Sequence, residues 1–266
     1  MRIFLIIVFI IIVFFFIISY KKVQTHMANI AFTKGDYSIA EKYWLIASSK
    51  GDTEAQLNLA IFYNDYYTLD LGQNRLYLED GFDLEKISSS YESFEKDKFD
   101  EKRNELIEKY LKLASDGGSS KAQLALGGFY KNKYFFSDLP EKYWLLASEQ
   151  GEVKAQYELG FFYKMRSKYD LAEKYWLLAS EQGDMYSQYE LGILYADQDK
   201  YDLAEKYWLL AVRQGIGFSF EDLARAYYIE GKKELGEICD KIENERLVNN
   251  YEEARMKKII RDSLKK

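Results

Sequence analysis

A motif of 15 residues recurs along this chain and restricts its fold more than any other feature. It reads YDLAEKYWLLASEQG at residues 169–183. Close copies occupy residues 37–51, 137–151 and 201–215, and a degenerate copy ends at Gly118. Trp144, Trp176 and Trp208 are therefore each 32 residues apart. A period of this length is typical of a solenoid, in which short units stack side by side, rather than of one globular core.

Each copy of the motif has the pattern of one amphipathic helix. Asp170 and Glu173 have the spacing of a capping box, in which both carboxylates satisfy free N–H groups at a helix start. The same pair recurs as Asp202/Glu205, Asp138/Glu141 and Ser38/Glu41. The spacing of Ala172, Tyr175, Trp176 and Ala179 predicts the buried face. Gly183 is expected to end the helix.

A second helix is predicted beside each copy. It reads AQYELGFFY at residues 155–163, with equivalents at residues 55–63, 122–130 and 187–195. Gly160 and Gly192 each cost about 1 kcal/mol of helix propensity relative to alanine, so their recurrence indicates a packing requirement. Small residues at Ala155 and Gly160 allow two helix axes to approach closely. The chain is therefore predicted to form a row of antiparallel helix hairpins that share their cores.

The repeated unit resembles the Sel-one-like repeat, a relative of the tetratricopeptide repeat. The resemblance rests on A-Q-Y-x-L-G-x-x-Y followed by D-x-A-x-K-Y-W-x-x-A-x-x-Q-G, and it covers roughly Ala31 to Tyr228 apart from one insertion. It implies an all-α, right-handed α-solenoid of about five repeats that binds other proteins. The family's glycine-rich loop between repeats is missing here, which shortens the unit to 32 residues. The cysteine pairs of some bacterial relatives are also missing, so the activity of that subgroup is not implied.

The amino terminus is predicted to be a membrane anchor. Residues 3–18 are an unbroken apolar run, preceded by Arg2 and followed by Lys21 and Lys22. A helix that is apolar on all sides suits lipid. No small-residue cleavage site follows, so we predict an uncleaved anchor in residues 1–22 that spans the membrane through residues 3–20; a cleaved secretion signal is the alternative. The flanking charges are nearly balanced. We favour an extracytoplasmic body, periplasmic in a bacterium, over a cytoplasmic one.

The remaining segments divide the chain further. We expect a first repeat in residues 28–63, an insertion in 64–103, repeats two to five in 104–228 and capping helices in 229–266. The insertion holds eleven acidic and six basic residues. It either covers the end of the array or forms a partner-specific arm. One longer helix is expected to enter the degenerate repeat from it.

The carboxy-terminal stretch from Arg255 is basic, with Asp262 as its single acid. A solvated helix end, or contact with anionic lipid or nucleic acid, accounts for this charge.

The composition disfavours catalysis. Single copies of cysteine (Cys239) and histidine (His26) leave no intrachain disulfide, thiolate or multi-histidine metal site, or catalytic triad. Cys239 is expected to be a small buried residue. No phosphate-binding loop or dinucleotide motif occurs. The net charge of −6 argues against a nucleic-acid partner. We predict a protein that is not an enzyme, with no cofactor, metal ion or small-molecule substrate.

A partner-binding surface is predicted on the helices of the motif, opposite their core faces. The candidates are Lys142, Leu145, Glu149, Lys174, Leu177, Glu181, Lys206, Leu209 and Arg213. Leucines flanked by charges at a fixed period suit a groove for a peptide or helix; a merely solvated face is the alternative. The sequence predicts a membrane-anchored scaffold for protein–protein interaction. The alternatives are an inhibitor or immunity-type protein with one toxin or enzyme partner, and a structural assembly factor.

Overall fold

A computed structural model describes residues 19–65, 92–134, 137–215 and 219–248 of this chain. Every regular element in these four ranges is an α-helix, which confirms the all-α prediction. The helices are α1 (residues 19–33), α2 (Tyr37–Ser49), α3 (Thr53–Asp65), α4 (Glu92–Asp116), α5 (Ser120–Lys133), α6 (Leu139–Glu149), α7 (Val153–Met165), α8 (Tyr169–Glu181), α9 (Met185–Ala196), α10 (Tyr201–Arg213), α11 (Ser219–Ile229) and α12 (Lys233–Val248).

Three predicted segments fall wholly or largely outside these ranges: the apolar run at 3–18, most of the insertion (66–91) and the basic tail beyond residue 248. Among the helices described, none is both long and apolar enough to cross a bilayer. The long helix expected to enter the degenerate repeat is confirmed as α4, which is 25 residues long. The predicted domain boundary at residue 103 therefore falls inside a helix.

The helices belong to two compact units, Met1–Gln150 with α1–α6 and Gly151–Lys266 with α7–α12. We call the odd-numbered helices A helices and the even-numbered ones B helices. In the first unit α3 packs against both α2 and α4, and in the second α9 packs against both α8 and α10. Each A helix at these positions thus contacts the B helix before it and the B helix after it. Neighbouring hairpins share one core, as expected for a repeat array.

The predicted core faces are confirmed. Ala172, Trp176 and Ala179 of α8 are fully buried, and Leu159 in the facing helix α7 is buried with them. Tyr175 is half-buried instead. Its ring stacks on that of Tyr163, with centroids 5.6 Å apart. Tyr175 therefore lies at the border of the core, while its stacking partner Tyr163 is buried with the tryptophan and the alanines.

The recurring A-helix glycine makes room for the tryptophan of the following B helix. A Cβ atom at any of these glycines would overlap the indole ring. The pairs are Gly127 with Trp144, Gly160 with Trp176 and Gly192 with Trp208. The predicted packing requirement is therefore correct: the missing side chain offsets its cost in helix propensity by letting a large ring reach the helix backbone.

The capping-box prediction is wrong. Helix α8 begins at Tyr169, so Asp170 lies inside its first turn, and Lys168, the residue before the helix, makes no side-chain cap. The side-chain caps occur instead on three A helices, where Asp52, Ser119 and Asp184 accept the N–H of the residue three positions later. Glu173 and its equivalents are used elsewhere, as described below. Pro140 does lie in the first turn of α6, as its fixed φ allows.

The two kinds of loop end their helices differently. After α8, Gly183 adopts a φ of +89°, as predicted for a residue just past a helix. After α7 and α9, Ser167 and Asp199 adopt φ values of +57° and +58°. Non-glycine residues rarely enter this region because Cβ crowds the backbone. A short loop is therefore achieved here without glycine.

A chain of buried glutamines links consecutive helices. Gln188 in α9 donates from Nε2 to the Ser180 carbonyl of α8 (3.4 Å), and its Oε1 accepts from Gln214 Nε2 at the end of α10 (2.8 Å). Gln123 in α5 likewise donates to the Ser115 carbonyl of α4 and accepts from Gln150. In each glutamine, both the Nε2 donor and the Oε1 acceptor of the side-chain amide are hydrogen-bonded. A buried amide without such partners would be costly. The bonds also fix the register between helices.

Candidate binding surfaces

The repeated carboxylates of the motif join one hairpin to the next. Tyr195 in α9 donates from its hydroxyl to Glu173 Oε1 in α8, at 2.6 Å. The equivalent pairs are Tyr63 with Glu41, Tyr130 with Glu108, and Tyr227 with Glu205. Burial, followed by the hydrogen bond to Glu173, raises the pKa of Tyr195 above its ordinary value. These carboxylates are held in structural contacts, which accounts for their recurrence without a catalytic role.

Two members of this series differ in their surroundings. Burial raises the pKa of Glu41, and the hydrogen bond from Tyr63 only partly opposes this. Burial also acts to raise the pKa of Glu108, but bonds from Lys112 (2.7 Å), Lys133 (2.9 Å) and Tyr130 outweigh it and bring the pKa to about 2. The same repeat position therefore holds carboxylates of opposite pH response.

The predicted partner-binding residues lie on B helices, in both units. Lys142, Leu145 and Glu149 are on α6 in the first unit; Lys174, Leu177 and Glu181 on α8, and Lys206, Leu209 and Arg213 on α10, are in the second. All the charged members are exposed. Each lysine ammonium lies over the ring of the adjacent tyrosine, at 5.2 Å from the centroid for Lys142 and Lys174 and 5.0 Å for Lys206.

The leucines of this predicted row are less accessible than expected. Leu145, Leu177 and Leu209 are half-buried, whereas the following residues Leu146 and Leu178 are 38% and 37% exposed. The solvent side of these helices therefore presents lysine ammonium groups that lie over aromatic rings. The predicted leucines are only partly exposed there. An apolar anchor is weak on this face.

A groove that the sequence patterns did not indicate lies in the first unit, between the A helices α1 and α3. Its volume is about 250 Å³. The lining residues are Asn29, Phe32, Thr33, Trp44, Glu54, Asn58, Ile61 and Phe62. Phe32 packs between Tyr37 and Trp44, with ring centroids 5.5 and 5.3 Å away, so the aromatic wall is fixed. Ile61 is 45% exposed at the mouth.

A hydrogen-bonded amide pair forms the polar part of this groove. Asn29 Oδ1 accepts from Trp44 Nε1 (2.9 Å) and from Asn58 Nδ2 (3.1 Å), while Asn29 Nδ2 donates to Glu54 Oε1 (3.3 Å). Asn29 is thus held from three directions. Asn58 uses one Nδ2 proton in this network and retains its Oδ1 and second proton. An amide with both functions available can bind a peptide backbone through a donor and an acceptor at once.

The one sequence signal for the groove is Asn58 itself. The equivalent A-helix position holds glutamate at 158 and 190 and alanine at 125. The periodic pattern emphasises what the repeats share, and this position differs from repeat to repeat.

The second unit has a different A-helix face, built from α7, α9 and α11. We call it the tyrosine–acid face and define it by Tyr157, Glu158, Tyr186, Tyr189, Glu190, Glu221 and Asp222. The Tyr157 and Tyr186 rings lie 6.0 Å apart, and Tyr189 donates to Asp222 Oδ2 at 2.8 Å. Lys164 pairs with Glu190 at 2.8 Å. These contacts join the three helices into one surface.

The electrostatic character of this face is seen in its tyrosines. Burial, and then the charges of Glu190, Glu158 and Asp184, raise the pKa of Tyr157 to about 12. Burial and the bond to Asp222 raise the pKa of Tyr189 further. Several carboxylates therefore act on the same two hydroxyls. A negative potential of this kind favours a cationic partner.

The single cysteine and the single histidine are the residues with the most reactive side chains. Cys239 is buried, as predicted, and burial raises the pKa of its thiol to about 12. A thiol of this kind is a poor nucleophile at neutral pH. His26 is exposed on α1. Over the residues that the structure covers, no group of three or more histidine, cysteine or carboxylate side chains is placed to hold a metal ion.

Comparisons with known proteins were made by sequence and by structure. No protein-family profile matches the chain, and no curated protein sequence matches it. Among solved structures, the chain is similar to a Sel1 repeat protein from Oxalobacter formigenes, with a TM-score of 0.55, 18% identity and 84% of each chain covered. It is also similar to Pseudomonas aeruginosa pilF, with a TM-score of 0.58, 14% identity and coverage of 92% of this chain and 99% of that one. At these identities the likeness establishes the fold alone.

Proposed function

We propose that this chain, whose fold is that of Sel1-like and related helical repeat proteins, is a non-enzymatic scaffold that binds an extended segment of a protein partner. The observation that carries the proposal is the groove between α1 and α3, with its oriented amide pair. Helical repeats of this fold present extended surfaces on which other proteins bind.

The groove suits a peptide better than a small molecule. Its volume of about 250 Å³ lies below the range of about 300–1,000 Å³ that is usual for small-ligand pockets. Such a space holds one or two side chains. Phe32 and Ile61 offer apolar contact to a side chain, and Asn58 offers a donor and an acceptor to the backbone beside it. Glu54 at the rim favours a neighbouring cationic or N–H donor group.

Replacing Asn58 by alanine is expected to weaken peptide binding about tenfold without lowering the melting temperature. The loss of one paired donor–acceptor contact accounts for about 1–2 kcal/mol. Peptides would be selected by display against the full chain in lipid nanodiscs and then titrated by fluorescence anisotropy. Asn64→Ala is the matched control, because Asn64 is exposed on the same helix and its amide donates to the adjacent Asp65. Equal affinity of the Asn58→Ala variant and the wild type would reject the groove.

The B-helix row remains a competing surface and is tested in the same titration. Replacing Lys142, Lys174 and Lys206 together by alanine removes three exposed charges and leaves the buried core untouched. We expect this triple variant to fold and to bind the selected peptides as the wild type does. If only the triple variant loses affinity for the peptides, the binding surface lies on the B helices.

Membrane anchoring through residues 3–20, with an extracytoplasmic body, is part of the proposal. It is supported by the apolar amino-terminal run, whose residues 3–18 lie outside the described ranges. Protease added to intact cells is expected to digest a carboxy-terminal tag. A protected tag would place the body in the cytoplasm, and a shortened species free of membrane would indicate a cleaved signal. Crosslinking in these cells separates a scaffold with several partners from an inhibitor or immunity-type protein with one stoichiometric partner.

A further inference from the structure

The tyrosine–acid face of the second unit carries more carboxylates than cations. Acidic positions recur at the repeat period, with Glu158, Glu190 and Asp222 each 32 residues apart. The carboxylates on and beside the face are Glu158, Asp184, Glu190, Glu221 and Asp222; the cations are Lys154, Lys164 and Arg225. Arg225 is 66% exposed and pairs with Glu221 at 3.1 Å, so the outer part of the face stays accessible.

Apolar groups lie beside these charges. Met165 and Ile229, at the far ends of α7 and α11, are 58% and 60% exposed, and Tyr186 is 50% exposed. Isolated exposed apolar side chains are ordinary in monomeric proteins. Their position on the same helices as the acidic residues makes the surface suitable for a segment that is both basic and apolar.

The direction of the chain brings such a segment to this surface. Helix α12 follows α11 after three residues, packs against it and therefore runs back along it. At about 1.5 Å per residue, the 16 residues of α12 extend past the 11 residues of α11, towards the end where α11 begins. Glu221 and Asp222 lie at that end, and Asp184 and Tyr186 lie at the equivalent end of the neighbouring helix α9. Helix α12 thus ends at Val248, towards the same end of the unit as these acidic residues.

The segment that follows is complementary in composition. Residues 255–266 contain Arg255, Lys257, Lys258, Arg261, Lys265 and Lys266, with Met256, Ile259, Ile260 and Leu264 between them. Residues 249–254 form a spacer that reaches about 20 Å when extended. Adjacent packed helices are about 10 Å apart, so this spacer is long enough to reach α9 from the end of α12.

We propose that residues 255–266 dock on the tyrosine–acid face of the second unit of the same chain. The basic side chains pair with the carboxylates along α9 and α11, and the apolar side chains contact the exposed apolar groups beside them. This inference is independent of the groove in the first unit.

The test is carbodiimide crosslinking of the full chain at low protein concentration, with equal amounts of unlabelled and ¹⁵N-labelled protein. Mass spectrometry is expected to show Lys257 or Lys258 joined to Glu190 or Asp222 within single copies. Glu158→Lys combined with Glu221→Lys should lower this yield about fivefold or more, because two ion pairs become repulsive. Arg255→Glu with Arg261→Glu should do the same, and all four changes together should restore the yield.

The matched control is Asp170→Lys with Glu181→Lys, which changes the net charge equally but on exposed positions of the B helix α8. Circular dichroism of each variant confirms that it is folded. Absence of these crosslinks, or a yield that the charge changes on the face leave unaltered, overturns the proposal. Crosslinks between labelled and unlabelled copies also overturn it, because the occupant is then the tail of a second molecule.

Discussion

At the scale of single residues, the tyrosines of this protein define the contact between hairpins. The Tyr195 hydroxyl reaches the preceding hairpin through Glu173, while its ring stacks on Tyr207 of its own hairpin, with centroids 5.6 Å apart. Phenylalanine would keep the stacking and leave the half-buried Glu173 carboxylate without this donor. The hydroxyl thus provides a hydrogen bond between hairpins, in addition to the packing that the ring provides within its own hairpin.

Glu108 gives this contact a predicted dependence on pH. Its pKa in the folded protein is about 2, below the ordinary value of 4.5. A carboxylate with a lowered pKa stabilises the fold above its unfolded-state pKa, and this contribution is lost as the pH falls from about 4.5 towards 2. Glu108→Gln is therefore expected to lower the free energy of unfolding by about 1–2 kcal/mol at pH 7, with a smaller difference at pH 3.

Urea denaturation at the two pH values measures this difference. Glu101→Gln is the control on the same helix, because Glu101 is exposed, and a change below about 0.5 kcal/mol is expected there. Glu41, whose pKa is raised, acts with the opposite sign: its contribution favours the fold at low pH and is lost as the pH rises. A Glu108→Gln difference that stays constant between pH 7 and pH 3 would contradict the assignment.

At the scale of helices, the close approach of A and B helices depends on glycine. Two adjacent glycines in α5 allow this packing role to be tested apart from helix propensity. A Cβ at Gly127 would overlap Trp144, whereas a Cβ at Gly128 would have no heavy atom of a neighbouring group within 4 Å. Gly127→Ala is expected to lower the free energy of unfolding by about 1–3 kcal/mol through overpacking. Gly128→Ala should raise it by up to about 1 kcal/mol, as alanine favours a helix.

Thermal and chemical denaturation of both variants give these values. Since the two substitutions are chemically identical and one residue apart, the comparison needs no other control. Equal effects of the two changes would show that the indole ring adapts to the added carbon, and that the glycine is not required for the packing of α5 against α6.

The helices and their core faces were predictable from sequence because burial imposes a period. Ala172, Trp176 and Ala179 are buried at the predicted spacing, and Gly183 ends the helix as its position indicated. The actual place of Asp170 inside the first turn and the bond of Glu173 to Tyr195 were not predictable, since a carboxylate in a first turn is equally suited to a cap and to a neighbouring tyrosine. The outcome depends on Tyr195 in the next hairpin, which is 22 residues away from Glu173 in the sequence.

At the scale of the whole molecule, the A helices of the two units present different types of side chain to solvent. The A helices of the first unit present amides and aromatic side chains at Asn29, Asn58 and Phe32, whereas those of the second present Tyr157, Glu190 and their neighbours. The sequence emphasised the B helices, where the repeat is strongest. Recognition is proposed on the A helices, where solvent-facing positions are free to vary because packing does not restrict them.

The buried glutamines affect how the number of repeats in such a chain can change during evolution. Gln123 and Gln188 each bond backward to a main-chain carbonyl and accept from a glutamine at the end of their own hairpin. A carbonyl is available whatever side chain bears it, so any hairpin of this kind can follow any other. Gln56 is an exception, because Gly117 occupies the place of its partner glutamine. Within the described part of the chain, the buried Oε1 of Gln56 accepts no hydrogen bond. Unequal recombination in steps of 32 codons would therefore lengthen or shorten the array with its joints intact.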